Sequence, residues 1–320
     1  MILKTLLPLS VATLMVAAPT LAFAAQWSFT DSTGQTVTLD EVPSRIIASQ
    51  DAAAGLIPLG IRPVGIYADS PVSEAKALQG LDLTGIEIIG QAWGEVDIEK
   101  AAALQPDVII AEYWPVSKEW SGGNDLTGAE SPLRSLAPIT GVTVGESIIE
   151  IIEGYEGLAA GLGADLSEPN IAAEKARFET ARDGFIAANK AKPNLTALAV
   201  WAGNDGLYVA TPVGSSELTD FKTWGLNVIT PDNVDEHGYF ENLSWENADK
   251  YQTDLILVDN RAEATMKTAL AQPTWTTLKA AAAGAVTDWP AYWLRNYGAY
   301  ASELEKLTTA INAADENLTE

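Results

Sequence analysis

A thirteen-residue pattern occurs twice in this chain. Residues 97–109 and residues 244–256 match at Glu99 and Glu246, Ala101 and Ala248, Gln105 and Gln252, Asp107 and Asp254, and Ile109 and Ile256, always at an offset of 147. Each copy reads as a polar cap, a short helix and a buried strand. A chain that uses the same helix-into-strand unit twice, so far apart, is expected to build two similar lobes.

The flanking sequence agrees. Residues 27–39 alternate in polarity around Gly34 and predict a hairpin. After it, short apolar runs at residues 45–49, 63–67, 86–89 and 107–111 alternate with helical stretches such as residues 98–104. The same alternation resumes at residues 196–201, 206–210, 254–259 and 284–288. Strands separated by helices predict a mainly parallel, helix-covered sheet in each half. Between the halves, residues 167–189 predict one long helix. Ser167 is its expected cap, Pro169 lies in its first turn, and Ile171, Phe178 and Phe185 repeat every seven residues before Pro193 stops it. At 1.5 Å per residue it would be roughly 30 Å long. The expected fold is α/β, with two Rossmann-like lobes (residues 25–166 and 193–320) and a ligand cleft between them; the long helix reads as a rod joining the lobes at residues 167–192, the alternative being one more surface helix.

Residues 1–24 read as a cleaved secretory signal: Lys4 at the start, a largely apolar stretch over residues 6–21, and the small-x-small run Ala22-Phe23-Ala24. Pro8, Ser10, Thr13, Pro19 and Thr20 interrupt that stretch, so a membrane span is disfavoured. The mature chain is expected to be exported and monomeric, without membrane insertion. A soluble exported protein is retained only behind an outer membrane, so a Gram-negative periplasm is expected, with secretion by another cell type as the alternative.

Composition removes several functions. The chain contains no cysteine and one histidine, His237, so disulfides, thiolate metal sites and a histidine metal cage are excluded. Its 43 acidic against 19 basic residues give a formal charge of −24, which repels nucleic acid. The motifs G-x-S-x-G, H-E-x-x-H, G-x-G-x-x-G and the P-loop are absent. Ser73 and Lys76 fit an S-x-x-K pattern that lacks its companion motifs. His237, beside Asp235 and Glu236, reads as a solvated loop residue.

The aromatic residues are more informative. Ten tryptophans and nine tyrosines outnumber six phenylalanines. Open α/β sheets bind ligands beyond the carboxyl ends of their strands. Residues at or near those ends include Gln50, Asp51, Tyr67, Tyr113, Trp114, Trp201, Asp259, Arg261 and Trp289, with Trp93 in a glycine-bounded loop and Tyr292, Trp293 and Arg295 just beyond. Aromatic walls with a few polar groups suit a bulky, partly apolar small molecule. The candidate binding residues are Tyr67, Trp93, Tyr113, Trp114, Trp201, Arg261, Tyr292, Trp293 and Arg295, the two arginines holding anionic ligand oxygens. Trp27, Trp224, Trp245 and Trp275 are expected in packing roles, and Arg45 in a structural one.

In order along the chain, residues 29–37, Pro43-Ser44-Arg45-Ile46-Ile47, Ile98-Glu99, residues 104–109, Leu243-Ser244-Trp245-Glu246, Pro273-Thr274-Trp275 and Leu278-Lys279-Ala280 resemble the periplasmic binding proteins of iron–siderophore and cobalamin ABC importers. The resemblance covers nearly all the mature chain. It implies two lobes on a helical backbone, no catalysis, and a ferric siderophore as cargo, with the iron ligated by the chelator. No cofactor or protein metal site is implied. It also implies that one glutamate per lobe, here Glu99 and Glu246, docks on an inner-membrane ABC permease dimer. The lipid-anchor cysteine of some members is missing, and the aromatic tail at residues 289–300 is not a general family feature. Sparse arginine argues against a highly charged tris-catecholate. Cobalamin or haem is the alternative cargo. A secreted hydrolase using two carboxylates, or the ligand-binding module of a sensor, are rivals from other classes.

Overall fold

The computed structural model describes residues 26–236 and 238–320. The expected signal segment, and the expectation for His237, lie outside the described residues.

The chain opens with an antiparallel hairpin of β1 (Trp27–Thr30) and β2 (Thr36–Leu39). The Asp31 carboxylate accepts from the Thr33 amide (2.9 Å) and the Gln35 amide (3.2 Å), and Gly34 takes the left-handed conformation the turn requires (φ 83°). The first lobe follows as β3 (Ile46–Ser49), α1 (Gln50–Leu56), β4 (Gly65–Ala68), β5 (Glu87–Gln91), α2 (Ile98–Ala103), β6 (Val108–Trp114), β7 (Glu119–Trp120), α3 (Asn124–Thr127) and β8 (Ile139–Thr143). Its sheet runs β5-β4-β3-β6-β7, with β8 also on β6; every pair is parallel except β6 with β7. The run of fully buried side chains along β3 and β6 is what a sheet covered on both faces demands.

Two helices lead to the second lobe: α4 (Ile148–Gly161), capped by the Ser147 hydroxyl, and α5 (Pro169–Ala191). The 23 residues of α5 make it about 34 Å long. Ile171, Phe178 and Phe185 are buried along one side of it, as their spacing predicts. The expected cap is corrected. Ser167 does not cap α5; its hydroxyl donates to Asp165 (2.6 Å), and Glu168 holds the cap position without a side-chain bond.

The second lobe contains β9 (Thr196–Ala202), β10 (Gly206–Ala210), α6 (Ser216–Thr223), β11 (Asn227–Val228), β12 (Phe240–Ser244), β13 (Leu255–Asp259), α7 (Glu263–Ala271), α8 (Lys279–Ala282), β14 (Val286–Trp289) and α9 (Tyr297–Ala313). Its sheet order is β12-β10-β9-β13-β14, with β11 also on β9. This sheet is mixed. β9, β11, β13 and β14 are parallel, but β10 is antiparallel to both neighbours. The three residues between β9 and β10 are too few for a crossover, so they form a hairpin.

The repeated unit is helix-into-strand in both copies, with a difference. Asp97 caps α2 through the Lys100 amide (3.0 Å). In the second copy Trp245–Lys250 is a 3-10 helix, and Ser244 accepts from the Asn247 side chain (3.1 Å) rather than capping the backbone.

The last helix, α9, lies against α5. Phe178 packs with tilted rings against Tyr297 (5.3 Å) and Tyr300 (5.2 Å), while Arg177 bridges to Glu305 (2.8 Å). One continuous apolar cluster joins the inner side of the first lobe, α4, α5, α9 and the inner side of the second. Separate clusters serve the outer side of each lobe. Trp27, Trp245 and Trp275 are buried in these cores, and Trp224 packs against the shared one. Arg45 is structural, its amide and side chain holding Asp107 and the Leu104 carbonyl.

Candidate functional site

The two sheets bring their strand ends to a common gap. On the first lobe, Gln50 and Asp51 open α1 directly after β3, where the Ser49 hydroxyl accepts from the Ala52 amide (3.2 Å). Asp69 follows β4, Trp93 lies beyond β5, and Trp114 ends β6. On the second lobe, Trp201 lies near the end of β9, Asp259 ends β13 and precedes Arg261, and Tyr292 and Trp293 follow β14. All of these line one cavity of about 640 Å³ between the lobes.

The walls are aromatic and held from behind. Trp201 packs on its cross-strand partner Tyr208 at 4.6 Å. The Trp293 indole donates to Asn260 (2.8 Å), and the Trp114 indole points at the Ser121 hydroxyl (3.4 Å). Trp114 and Tyr292 face each other from opposite lobes, ring centres 6.3 Å apart. Trp93 stands at the rim with 61% of its surface exposed.

Tyr292 has φ 63°, which a bulky residue adopts only when its surroundings force it. Three contacts do so. Its amide donates to Glu217 (3.2 Å), its hydroxyl pairs with Ser215 (2.8 Å), and the Arg261 guanidinium lies 4.7 Å over its ring. Arg261 is also held by Asp259, its Nη2 donating at 2.6 Å and its Nε at 2.9 Å, yet 44% of its side chain stays exposed. Burial alone would lower the Arg261 pKa; the Asp259 charge outweighs it and the guanidinium sits above its ordinary range.

Carboxylates occupy the first-lobe wall. Burial, then the Glu112 charge behind it, pushes Asp51 well above the usual range, and burial pushes Asp69 up to about 6. Burial likewise raises the Tyr292 phenol, so it serves as a neutral hydrogen-bonding group.

Of the nine residues expected at the site, Trp93, Trp114, Trp201, Arg261, Tyr292 and Trp293 line the cleft. Three expectations are corrected. Tyr67 is only 2% exposed, and its hydroxyl is used by the Ser121 carbonyl (3.0 Å). Tyr113 packs edge-on against Trp120 at 5.2 Å in the outer core of its lobe. Arg295 is 1% exposed and bound to Glu112, so it cannot meet a ligand. Asp69, Ser121, Tyr239 and Phe240 also line the cleft and were not among the expected residues. Asp69 stands one residue past β4, so the strand-end rule reaches it. Tyr239 and Phe240 lie at the start of an antiparallel strand, where that rule does not look.

Glu99 and Glu246 are both exposed, each the second residue of its helix.

Comparison with known proteins accords with this architecture. Residues 73–293 match the family model of periplasmic binding proteins. DesE, a ferric-siderophore receptor protein from Streptomyces coelicolor, superposes with a TM-score of 0.82 at 31% identity, covering 91% of this chain and 99% of its own. The fold is shared more distantly by the Desferal-bound siderophore binding protein FhuD from Vibrio cholerae (TM-score 0.59, 19% identity, 84% of this chain and 98% of the other). It is also shared by Staphylococcus aureus SirA complexed with staphyloferrin B (0.59, 19%, 90% and 99%). No curated protein sequence matches the chain. The chain belongs to the periplasmic binding protein family.

Proposed function

We propose that this protein is a non-enzymatic carrier that takes a ferric siderophore between its lobes and delivers it to an inner-membrane ABC permease. The observation that carries the reading is the cleft itself. Trp93, Trp114, Trp201 and Trp293, from both lobes, border one cavity of about 640 Å³, a size suited to a chelate rather than a bare ion. The relatives whose names include a siderophore support the same cargo class. In this reading the chelator supplies every iron ligand. The protein contributes stacking surface on the tryptophans and donors from Arg261 and Tyr292 to the chelate's oxygens. Export by a cleaved signal at residues 1–24 into a Gram-negative periplasm completes the proposal. So do division at residues 25–166, 167–192 and 193–320, monomeric action, and docking on the permease dimer through Glu99 and Glu246.

Titration of the intrinsic tryptophan fluorescence with ferric siderophores, cobalamin and haem tests the cargo. Saturable quenching by a ferric siderophore at one equivalent is expected. A response to cobalamin or haem alone would replace the cargo, and turnover of any titrant would overturn the carrier reading.

A further inference from the structure

The cleft is unbalanced in charge. Its acidic and basic lining consists of Asp51, Asp69, Glu119 and Asp259 against Lys76 and Arg261. Both nearby arginines are already engaged. Arg261 is forked onto Asp259, and Arg295, behind the wall, is forked onto Glu112. Glu119, at the edge, accepts from Asn124 (2.5 Å).

Asp51 and Asp69 thus line the cavity with no ion pair among the described residues, and Lys76, which lines it too, bridges to neither. Asp69 accepts only a long bond from Gln50 (3.3 Å). Asp51 is the sharper case: the residue is 5% exposed, it lines the cleft, and no hydrogen bond reaches its carboxylate among the described residues. A buried carboxylate with no ion pair and no hydrogen-bond donor is costly to keep charged unless something else supplies a partner. Among the neighbouring charges Glu112 and Asp69 repel Asp51, while Arg295, forked onto Glu112 behind the wall, offsets part of that repulsion. Around this acid corner stand aromatic faces, which favour an organic ammonium over an anion.

We infer that the cargo is a ferric chelate bearing a protonated amine, and that Asp51 and Asp69 receive the ammonium while the tryptophans pack on the chelate body. This rests on the carrier reading and narrows its ligand class to a chelate with a neutral iron core, such as a trishydroxamate, and a cationic arm. A tris-catecholate, with several negative charges, would meet the same two carboxylates as repulsion.

The test uses the whole mature protein and one chelating frame in three charge states: a linear ferric trishydroxamate with a free terminal amine, its N-acetyl derivative and its N-succinyl derivative. Fluorescence titration is expected to give affinity in the order cationic, neutral, anionic, with about tenfold between the first two. In the Asp51→Asn/Asp69→Asn variant the ratio of cationic to neutral affinity is expected to fall close to one. Should that variant fail to fold, Asp69→Asn alone, at the half-buried position, is expected to reduce the ratio. Equal affinity for all three chelates, a preference for the anion, or a ratio indifferent to these substitutions would overturn the inference and leave the carrier reading standing. Absence of binding by any ferric chelate, catecholates included, would instead overturn the carrier reading and the inference with it.

Discussion

The Arg295 guanidinium forks onto the Glu112 carboxylate, with Nη2 donating to Oε2 at 2.8 Å and Nε to Oε1. The two residues are 183 positions apart and at most 1% exposed. Glu112 lies on β6 of the first lobe; Arg295 lies between β14 and α9 of the second. Tyr155 adds a third donor to Glu112 at 2.9 Å. The pair thus ties the lobes together behind the cleft. Arg295→Met leaves a buried carboxylate without its counter-charge and is expected to cost about 3–5 kcal/mol in urea unfolding. Glu112→Leu combined with Arg295→Met is expected to recover much of that loss, because desolvating the pair is itself expensive. A double variant no more stable than the single would contradict this account.

Stability should also depend on pH through Glu217. This carboxyl is 1% exposed; its Oε1 accepts from the Trp289 indole (2.9 Å), and its Oε2 has no partner. Burial pushes its pKa up to about 7 from an ordinary 4.5, against the pull of its donors. A carboxyl raised on folding binds its proton more tightly in the folded state. Its contribution is therefore present below about pH 4.5 and lost as pH rises through about 7, up to roughly 3 kcal/mol in all. Urea unfolding at pH 5 and pH 8 is expected to show a smaller decline in Glu217→Gln than in the parent. Identical declines would show that Glu217 does not titrate in this window.

Trp93 supplies a rim face while burying little of itself. Trp93→Ala is expected to weaken chelate binding about tenfold or more, as loss of an aromatic anchor does at other interfaces. Unfolding free energy should change by no more than about 0.5 kcal/mol, the usual range for exposed positions. Fluorescence titration and thermal unfolding of the same sample separate the two effects.

Docking can be separated from binding in the same way. Glu99→Ala with Glu246→Ala is expected to leave chelate affinity unchanged, since neither glutamate is among the residues lining the cleft, and to reduce iron uptake by cells. One protruding carboxylate on each lobe suits a receptor with approximate two-fold symmetry. Uptake equal to the parent's would remove the docking role.

Much of this was legible beforehand because strand–helix alternation and the repeat at Glu99 and Glu246 are local signals. The hydrophobic runs located the strands, and the strand-end rule located the cleft. Neither signal gives the direction of a side chain. Tyr67 and Trp114 both lie at strand ends, yet one is used by the Ser121 carbonyl and the other faces the gap. Arg295 looked available among aromatics because its partner, Glu112, belongs to the other lobe. The Ser167 cap failed for a local reason: Asp165, two residues back, competes for the same hydroxyl.

The ties behind the cleft extend beyond one ion pair. Asp220 of α6 accepts from the Ile148 amide of α4 (3.0 Å) and from Tyr300 (2.9 Å), and Asn296 donates to the Ala54 carbonyl (3.2 Å). With an apolar cluster common to both halves, neither half can melt and leave the other intact. Calorimetry should therefore record a single endotherm. On the carrier reading proposed above, such a molecule works as a gauge of fixed bore: the ties set the spacing of its two halves, and discrimination falls to side chains and loops at the mouth.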